Sequence, residues 1–570
     1  PMLTYKQNQQ LCLEATQKSG SSLAEFLQNN KKYFRGNESA IANYIISEAQ
    51  KDEMTDVSSI ISHADVDTHE IFNNENKRVL NNVKASLLSN HCRNNEINSY
   101  VDNTIAQLNS EDNVNFKRNN FLSGLNSLLN SNGDKELKQQ VLDNILAERD
   151  VADVSRTTIR QCAAIAAEME KAAGERFLRL EVGVPGLAPG QVGLEAQKAA
   201  LDNGIASIYP AISGLPELKE NASRFIKAFI DVDIAPECIV PTVGSMQAGM
   251  NLMLECSQID PAKDTILYVN PGFAPHVMQA SVQGIKHEQF DIYEYRGTKL
   301  RDKLESYCSK GNIVAIVYSN PNNPSWVCLT DEELQIIGET ANKYDMIVLE
   351  DHAYMCMDFR TDKSVPFEPP FQPTVARYTD NYIFMISGSK VFSYAGERIA
   401  VVAFSNKLFH REYPALRKRY GIGRMGDNFI FTYLYVASSG TSHSAQYALS
   451  AMMKAAVDGT YKFVDEVREY GRRAKITKQI FLKHGFNIIY DKDGDQDLAD
   501  GFYYTIGYEG MSDSQLLNDL LLCGISAITL NTTGSKQPGI RACVSQLNSD
   551  WHIQALDERL KIFVELQKSK

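Results

Sequence analysis

The first 150 residues of this 570-residue chain contain few of the residues that interrupt helices. Only Pro1 of the 18 prolines and four of the 34 glycines lie there, whereas asparagine occurs 24 times. Because glycine and proline cost about 1 and about 3 kcal/mol relative to alanine inside a helix, their scarcity favours helices. Apolar residues spaced by three and four at 21–34, 76–90 and 135–150 strengthen that prediction. We expect an all-α N-terminal extension, with a partly ordered asparagine-rich segment as the alternative.

Paired cysteines, clustered histidines and long apolar runs are also missing. The ten cysteines form no CxxC pair, and no two histidines have the HxxxH spacing of a zinc site, so we expect neither a disulfide framework nor a metal centre. The longest apolar runs have the length of a strand, well short of the roughly 20 residues that a membrane helix requires. These absences predict a cytoplasmic protein that does not enter a membrane.

Acidic residues outnumber basic ones. The formal net charge is -12 and the sequence pI is about 5.5. The first 150 residues carry 15 basic and 20 acidic side chains, a balance of -5. Nucleic-acid binding takes much of its affinity from Lys and Arg side chains that neutralise phosphates. We therefore expect no nucleic-acid partner.

From about residue 151 the pattern changes to alternating strands and helices, which is typical of an α/β domain. A helix that begins with a Thr330 to Glu333 capping box is predicted between two of the strands. The predicted strands are the apolar parts of TILYVNPG, NIVAIVYS, MIVLEDHAY, YIFMISGSK and RIAVVAFS. Because ligands of open α/β sheets bind outside the carboxyl ends of the strands, the polar residues after these runs are the candidate site.

The motif Ser387-Gly388-Ser389-Lys390 follows one of these strands, and Arg398 lies eight residues after the lysine. A lysine amine can form an imine with an aldehyde. The two hydroxyls and the forked donors of Arg398 could hold a phosphate. The pattern is therefore typical of a site for a phosphorylated aldehyde, although a single such motif also occurs by chance on a solvated surface.

Two further strand ends carry polar groups. Asp351 follows the run MIVLE, where a carboxylate is costly unless it is paired with a cation. Beside a pyridine cofactor it would keep the ring nitrogen protonated, and Tyr354 could bond the phenolic oxygen of the same ring. In SNPNNP, Asn323 could donate to that oxygen, whereas an ordinary loop would use these residues for conformation only.

A helix start supplies the remaining polar groups. Gly244, Ser245 and Met246 precede a helical run, and the backbone amides that open a helix favour a phosphate. Many helices begin after Gly-Ser, so this signal is informative only together with the others.

Taken in order, VGSMQ, NPGF, SNPNNP, EDHAY, SGSK with its downstream arginine, and GIR resemble the motifs of the class I/II aminotransferases, which are pyridoxal-phosphate enzymes of fold type I. The resemblance covers roughly residues 165–570. It implies a large domain with a mostly parallel central sheet flanked by helices and a smaller α+β domain. We expect the extension at 1–150, the first part of the small domain and an interface arm at 151–214, the large domain at 215–455, and the rest of the small domain at 456–570.

The resemblance also implies the role of each motif residue. Lys390 would form the internal aldimine with pyridoxal 5'-phosphate and move the proton, Asp351 would pair with the pyridine nitrogen, and Tyr354 would bond O3′. Phe273 in NPGF would stack on the ring. The remaining cofactor contacts would be Asn323, Gly244, Ser245, Met246, Ser387, Ser389 and Arg398.

For the substrate, the resemblance implies that Arg541 in GIR holds the α-carboxylate, with Asn323 and Gly183 nearby. Tyr209 resembles the tyrosine that reaches the partner's phosphate, which implies a homodimer with shared sites. The sequence departs from the family pattern at Ser325 and Trp326, where Thr-Gly is common. We expect this departure to alter the substrate pocket more than the cofactor site.

The predicted function is transamination between an L-amino acid and a 2-oxo acid, as part of amino-acid metabolism. A lyase or decarboxylase of the same fold is the alternative, because those enzymes use similar cofactor contacts. A regulator with an N-terminal DNA-binding winged helix is a second alternative, which the acidic balance and low glycine content of the first 150 residues disfavour.

Overall fold

The computed structural model describes residues 11–34 except 13, residues 37–63, residues 135–173 and residues 176–570. The predicted helix at 76–90 lies outside the described residues. The chain separates into two compact units. The first combines the residues up to Glu181 with Ser514–Ile528 and Ser549–Lys570, and the second combines Val182–Asp513 with Thr529–Asn548. The four-part division drawn from the sequence stays a prediction.

The described α-helices, numbered in chain order, are α1 (Gly20–Asn29), α2 (Asn37–Ala49), α3 (Val57–His63), α4 (Lys135–Glu148), α5 (Ile159–Ala173), α6 (Gln191–Asp202), α7 (Pro216–Ile230), α8 (Gly244–Cys256), α9 (Ala274–Val282), α10 (Lys299–Cys308), α11 (Asp331–Tyr344), α12 (Gly388–Val391), α13 (Asn406–His410), α14 (Pro414–Tyr420), α15 (Met425–Asn428), α16 (Tyr435–Ser438), α17 (His443–Asp458), α18 (Phe463–Lys483), α19 (Asp513–Leu522) and α20 (Asp550–Lys568). The described strands are β1 (Leu178–Arg179), β2 (Ile239–Val243), β3 (Thr265–Asn270), β4 (Lys286–Asp291), β5 (Ile313–Ser319), β6 (Ile347–Asp351), β7 (Tyr382–Ser387), β8 (Ile399–Phe404), β9 (Asn487–Ile488), β10 (Lys492–Asp493), β11 (Gln496–Asp497), β12 (Tyr503–Gly507), β13 (Ile525–Ser526), β14 (Ile528–Thr529) and β15 (Ile540–Cys543).

The first unit is mainly helical in its described part. Helices α1 and α4 confirm the predictions at 21–34 and 135–150. The only two strands that pair here among the described residues, β1 and β13, run parallel. Cys162 on α5 donates to the carbonyl of Ala527 at 2.8 Å and so fixes this helix beside the short strand pair. The unit therefore has a helical core, with the C-terminal helix α20 as part of it.

The second unit is built on a seven-stranded sheet with the order β2-β8-β7-β6-β5-β3-β4. Neighbours are parallel except for β8, which runs against β2 and β7. Strands β3, β5, β6, β7 and β8 are buried along their whole length, as expected for apolar runs between two layers of helices. The five strand predictions are confirmed, and the mostly parallel sheet is the architecture of fold type I. Thr330 and Glu333 form the expected capping box at the start of α11.

A smaller antiparallel group belongs to the same unit. Strand β12 pairs with β15 on one side and β9 on the other. This pairing sets Thr505 opposite Arg541 and Tyr503 opposite Cys543. Among the described residues, no helix is long and apolar enough to cross a membrane.

Candidate active site

Three neighbouring strands of the large sheet end together. In the parallel register, Ser319 at the end of β5 lies opposite Asp351 at the end of β6, and Asp351 lies opposite Met385, two residues before the end of β7. The loops that follow β5, β6 and β7 therefore meet at one border of the sheet. We call this border the sheet edge.

Lys390 is presented by a helical turn that starts directly after β7. Ser387 caps this turn, because its hydroxyl accepts a hydrogen bond from the amide of Ser389 at 2.9 Å. The Lys390 amine lies 5.9 Å from the ring centre of Phe502. Burial raises the pKa of the nearby Asp351 carboxyl, and the positive charge of Lys390 offsets a small part of that rise. The two residues expected to flank one ring are thus electrostatic neighbours.

Asp351 is buried and lies against a histidine. Burial raises its pKa, and this effect is partly offset by His276, whose Nε2 lies 3.5 Å from the Asp351 carboxylate. Desolvation also lowers the pKa of His276. His276 contacts Phe273 edge-on, with ring centres 5.1 Å apart. His276 was not among the predicted site residues, although its three-residue spacing from Phe273 at the start of α9 could have indicated that the two side chains lie on one face.

The expected phosphate side lies at the start of α8. Gly244 opens this helix with a φ of +67°, and a Cβ atom there would lie 2.7 Å from the Arg398 guanidinium. Glycine therefore leaves room for that side chain. The hydroxyl of Ser245 is buried and has no hydrogen-bond partner in the described part of the chain. Arg398 donates to the carbonyl of Ala395 at 2.8 Å. The structure brings these residues together, with Met246 partly exposed beside them.

Arg541, the residue expected to bind the substrate carboxylate, is hydrogen-bonded to a residue at the sheet edge. Arg541 is among the largest fully buried side chains, and it donates to the Asn323 side-chain oxygen at 3.1 Å. Its guanidinium carbon lies 4.4 Å from the ring centre of Tyr503, a cation–π distance. Arg541 on β15 and Asn323 after β5, which are 218 residues apart in sequence, thus share one location.

A set of aromatic side chains completes the site, and we call it the aromatic wall: Trp326, Tyr354, Phe502 and Tyr503. The hydroxyls of Tyr354 and Tyr503 lie 2.5 Å apart. The Tyr354 ring centre lies 5.4 Å from the centres of both Trp326 and Phe502. The sequence reading missed Phe502 and Tyr503, which follow no motif. Trp326 was noticed only as a departure from the family pattern.

The two remaining candidates have different outcomes. Gly183 lies at the aromatic wall, because a Cβ atom there would be 2.3 Å from the Tyr503 hydroxyl oxygen. Tyr209 lies instead on the surface with 88% of its area exposed, in a loop that forms one crevice with residues 438–444. Within one chain, then, Gly183 joins the site and Tyr209 faces outward.

Comparisons with known proteins identify the family and the fold of this chain. The family described as "Aminotransferase class I and II" matches residues 175–547. A probable aspartate aminotransferase of Methanocaldococcus jannaschii is 27% identical over 52% of this chain and 71% of its own length. An aspartate aminotransferase of Pyrococcus horikoshii is 28% identical over 45% of this chain and 61% of its own length.

Solved structures show the same fold. A Pyrococcus protein superposes with a TM-score of 0.60 at 20% identity, covering 75% of this chain and 99% of its own. An aspartate aminotransferase of Thermus thermophilus superposes with a TM-score of 0.57 at 16% identity, covering 71% of this chain and 96% of its own. This chain therefore contains nearly the complete fold of both solved structures.

Proposed function

The chain belongs to the aminotransferase class I and II family, and from that premise we propose that it holds pyridoxal 5'-phosphate on Lys390 and moves an amino group between an L-amino acid and a 2-oxo acid. One observation carries the proposal. Asp351 ends β6 and Lys390 follows the neighbouring parallel strand β7, so both lie at the sheet edge, and the Arg541–Asn323 hydrogen bond fixes a buried guanidinium at the same edge. A buried forked cation beside a lysine amine suits a ligand with a carboxylate next to its reacting carbon.

The residues present fit the cofactor. The phosphate suits the start of α8, where the buried Ser245 hydroxyl lacks a partner within the described chain and Gly244 leaves space for Arg398. An acidic side chain is needed at the ring nitrogen, and Asp351 is a buried carboxylate with His276 Nε2 3.5 Å away, which supports it in this role. An uncompensated buried carboxylate is costly, so a cationic ring beside Asp351 would stabilise its charged form.

Each residue then has a definable task. When bound, the cofactor supplies an electron sink for the carbanion that forms at the substrate's α-carbon. The amine of Lys390 would hold the cofactor and would carry the proton to and from that carbon. Arg541 fixes the carboxylate and so turns the α-carbon toward the Lys390 amine. Asn323 orients Arg541 through their hydrogen bond.

The names of the relatives support transamination over the lyase and decarboxylase alternatives. The relatives described above are named as aspartate aminotransferases, and a further one, from Streptococcus mutans, is named asparagine–oxo-acid transaminase. All of these names describe transfer of an amino group from an amino acid. We therefore propose an amino acid as donor and a 2-oxo acid as acceptor.

Borohydride trapping tests the attachment site. Protein loaded with pyridoxal phosphate is reduced, digested and analysed by mass spectrometry, and we expect the pyridoxyl group on the peptide that contains Lys390. Lys390→Ala should abolish this adduct. Lys219→Met is the matched control, because burial lowers the pKa of the Lys219 amine to about 8 and makes it a second nucleophilic lysine. An adduct that persists in Lys390→Ala and disappears in Lys219→Met would overturn the assignment.

A substrate screen tests the reaction. Loaded protein is mixed with single amino acids, and loss of its yellow colour is followed while the products are identified. Formation of the matching 2-oxo acid, with recovery of the colour on adding a different 2-oxo acid, is the expected result. Release of ammonia or carbon dioxide without that recovery would instead show elimination or decarboxylation.

We also propose that the protein forms a homodimer. Tyr209 is 88% exposed and Val436 75% exposed, and Phe431 and Tyr435 are also exposed large apolar residues. Gln247 on α8 donates to Ser438, so the expected phosphate side and this apolar surface are neighbours. A second copy would cover the surface and bring its Tyr209 to this phosphate side. The apolar exposure is what supports this step.

Sedimentation velocity tests the dimer. Val436→Asp should shift the protein from dimer to monomer, because it places a charge in the apolar surface. Val365→Asp is the control, since Val365 is also exposed but lies elsewhere in the sequence, outside the segments that form this surface. A wild-type protein that sediments as a monomer would contradict the proposal.

A further inference from the structure

In the aromatic wall, one phenolic O–H of the Tyr354–Tyr503 pair has no hydrogen-bond acceptor among the described residues. Burial raises the pKa of both Tyr354 and Tyr503, so both phenols are protonated at neutral pH. The pair therefore holds two O–H donors. Their mutual contact uses one of them, and neither hydroxyl has another hydrogen-bond partner among the described residues. Buried donors are almost always satisfied, so the second O–H indicates an acceptor that is not part of the protein.

The direction of the pair follows from where that acceptor lies. Tyr354 follows the end of β6 at the sheet edge, three residues after Asp351. The Arg541 cation lies over the Tyr503 ring, and its positive charge makes the Tyr503 hydroxyl the better proton donor of the pair. The favourable arrangement has Tyr503 donating to the oxygen of Tyr354, and Tyr354 donating outward. Because linked hydrogen bonds polarise one another, this arrangement makes Tyr354 a stronger donor than an isolated phenol.

Packing behind the pair holds Tyr503 in place. Trp326 is fully buried, and its backbone has a φ of +65°, which is unfavourable for a bulky side chain. Its ring centre lies 6.3 Å from that of Tyr503. A Cβ atom on Gly501 would lie 1.9 Å from the indole, so the absence of a side chain at this position is what admits Trp326. Strain that persists in a buried site indicates that the surroundings fix the geometry.

We propose that Tyr503 is a positioning residue whose hydroxyl donates to Tyr354 and thereby directs the Tyr354 O–H onto the ring oxygen of the cofactor. This inference rests on the proposed function, because the acceptor belongs to pyridoxal phosphate. The titratable groups that face the tyrosine pair are Arg541 and Cys543 on β15 and Tyr470 on α18. None of them accepts the second proton in the described structure.

The holoenzyme itself reports the donor strength of Tyr354. With cofactor bound, the visible band changes with pH as the Lys390 nitrogen loses its proton. A hydrogen bond donated to the ring oxygen stabilises the negative charge on that oxygen. The hydrogen bond therefore lowers the pKa of the Lys390 nitrogen. Tyr503→Phe keeps the ring over Arg541 and removes only the hydroxyl. We expect it to raise the pKa of the Lys390 nitrogen by about half a pH unit.

Tyr504→Phe is the matched control. Tyr504 is the next residue of β12, is fully buried, and donates to the Thr477 hydroxyl at 2.7 Å on the opposite face of the strand. Its pH midpoint should equal that of the wild type. If the pH midpoint of Tyr503→Phe equals those of the wild type and Tyr504→Phe, the proposed relay, in which Tyr503 donates to Tyr354 and Tyr354 donates to the cofactor, is wrong. A wild-type protein with no visible band would overturn the proposed function as well, so the two failures are distinguishable.

A double-mutant cycle keeps the test valid if Tyr503→Phe also perturbs packing. Tyr354→Phe removes the hydroxyl that donates to the cofactor, so the Tyr503 hydroxyl can no longer affect the ring oxygen through it. We expect Tyr354→Phe and the double variant Tyr354→Phe/Tyr503→Phe to have the same midpoint. If the two shifts simply add, Tyr503 acts independently of Tyr354 and the relay is wrong.

Discussion

The sheet edge and the aromatic wall hold their functional groups by different means. At the sheet edge, the backbone of parallel strands sets the positions of Asp351 and Lys390, and hydrogen bonds between adjacent residues fix the loops. At the aromatic wall, Tyr503 and Trp326 are fixed by contacts between side chains that are distant in sequence. A substitution at the sheet edge should therefore change chemistry with little change in packing, whereas one at the wall should change both.

Electrostatics separates the two regions in the same way. The sheet edge contains a buried carboxylate, so its charges require partners, and His276 and Lys390 supply part of this compensation. At the wall, the charge of Arg541 is covered by the face of Tyr503 and bonded to an amide oxygen. In the proposed function, the cation of Arg541 would meet the substrate, whereas the anion of Asp351 would meet the cofactor.

The largest expected effect lies at the sheet edge. Asp351→Asn keeps the volume of the side chain and removes its charge, so the ring nitrogen loses the group that keeps it protonated. We expect kcat to fall by about 10³-fold, within the range for loss of a group that controls protonation. Thermal unfolding should change little, because neutralising a buried carboxylate also removes a desolvation cost. Steady-state kinetics and calorimetry on the loaded protein measure the two quantities.

Glu350→Gln is the control for this change, since Glu350 is the preceding residue of β6 and is fully buried. It bonds the Tyr318 and Thr374 hydroxyls and His352. Burial acts to raise its pKa, but His352 and these hydrogen bonds outweigh burial and lower it. Its stabilisation is therefore present above the ordinary pKa of 4.5 and is lost as the pH falls. We expect Glu350→Gln to reduce stability at pH 7, with a smaller difference at pH 4, and to retain transamination. Equal losses of kcat in both variants would contradict the separation of chemistry from packing.

A smaller effect is expected at Arg541, which lies against the aromatic wall. Arg541→Lys keeps the charge and removes the forked donor set. Loss of a hydrogen bond to a charged group costs about 1.5–3 kcal/mol, so we expect KM for the amino acid to rise by about 10- to 100-fold. The dissociation constant of the cofactor should change by less than about twofold, because the proposed cofactor contacts do not include Arg541. Steady-state kinetics and cofactor titration measure the two constants.

Arg473→Lys is the control for the arginine. Arg473 is also buried, but it donates to the Ser545 carbonyl and pairs with Glu469. This variant should lose stability with an unchanged KM. If Arg541→Lys weakened cofactor binding and left KM unaltered, Arg541 would belong to the cofactor site instead.

The sheet edge could be predicted because its information is local. Each strand is an apolar run, and the polar residues after it are adjacent in sequence, so motifs such as SGSK and EDHAY identify Lys390 and Asp351 directly. Parallel strand ends meet at one border by geometry alone. The same logic placed Ser245 at the start of α8, where the helix was expected.

The aromatic wall could not be predicted because its information is distributed. Tyr503 meets Tyr354 across 149 residues, and Trp326 fits only because Gly501 has no side chain. Neither pair has a spacing that a local pattern could reveal. Packing partners of this kind follow from the folded structure and not from periodicity.

The smallest expected effect tests that packing directly. Gly501→Ala places a Cβ atom 1.9 Å from the indole of Trp326, and Gly501 has an ordinary φ, so the cost comes from the clash alone. We expect a loss of about 1–2 kcal/mol in the free energy of unfolding, measured by denaturant titration. Gly396→Ala is the control, because a Cβ atom there meets nothing within 4 Å. In a Trp326→Ala background the Gly501→Ala change should cost nothing further, and an undiminished cost there would show that the wall does not depend on this pair.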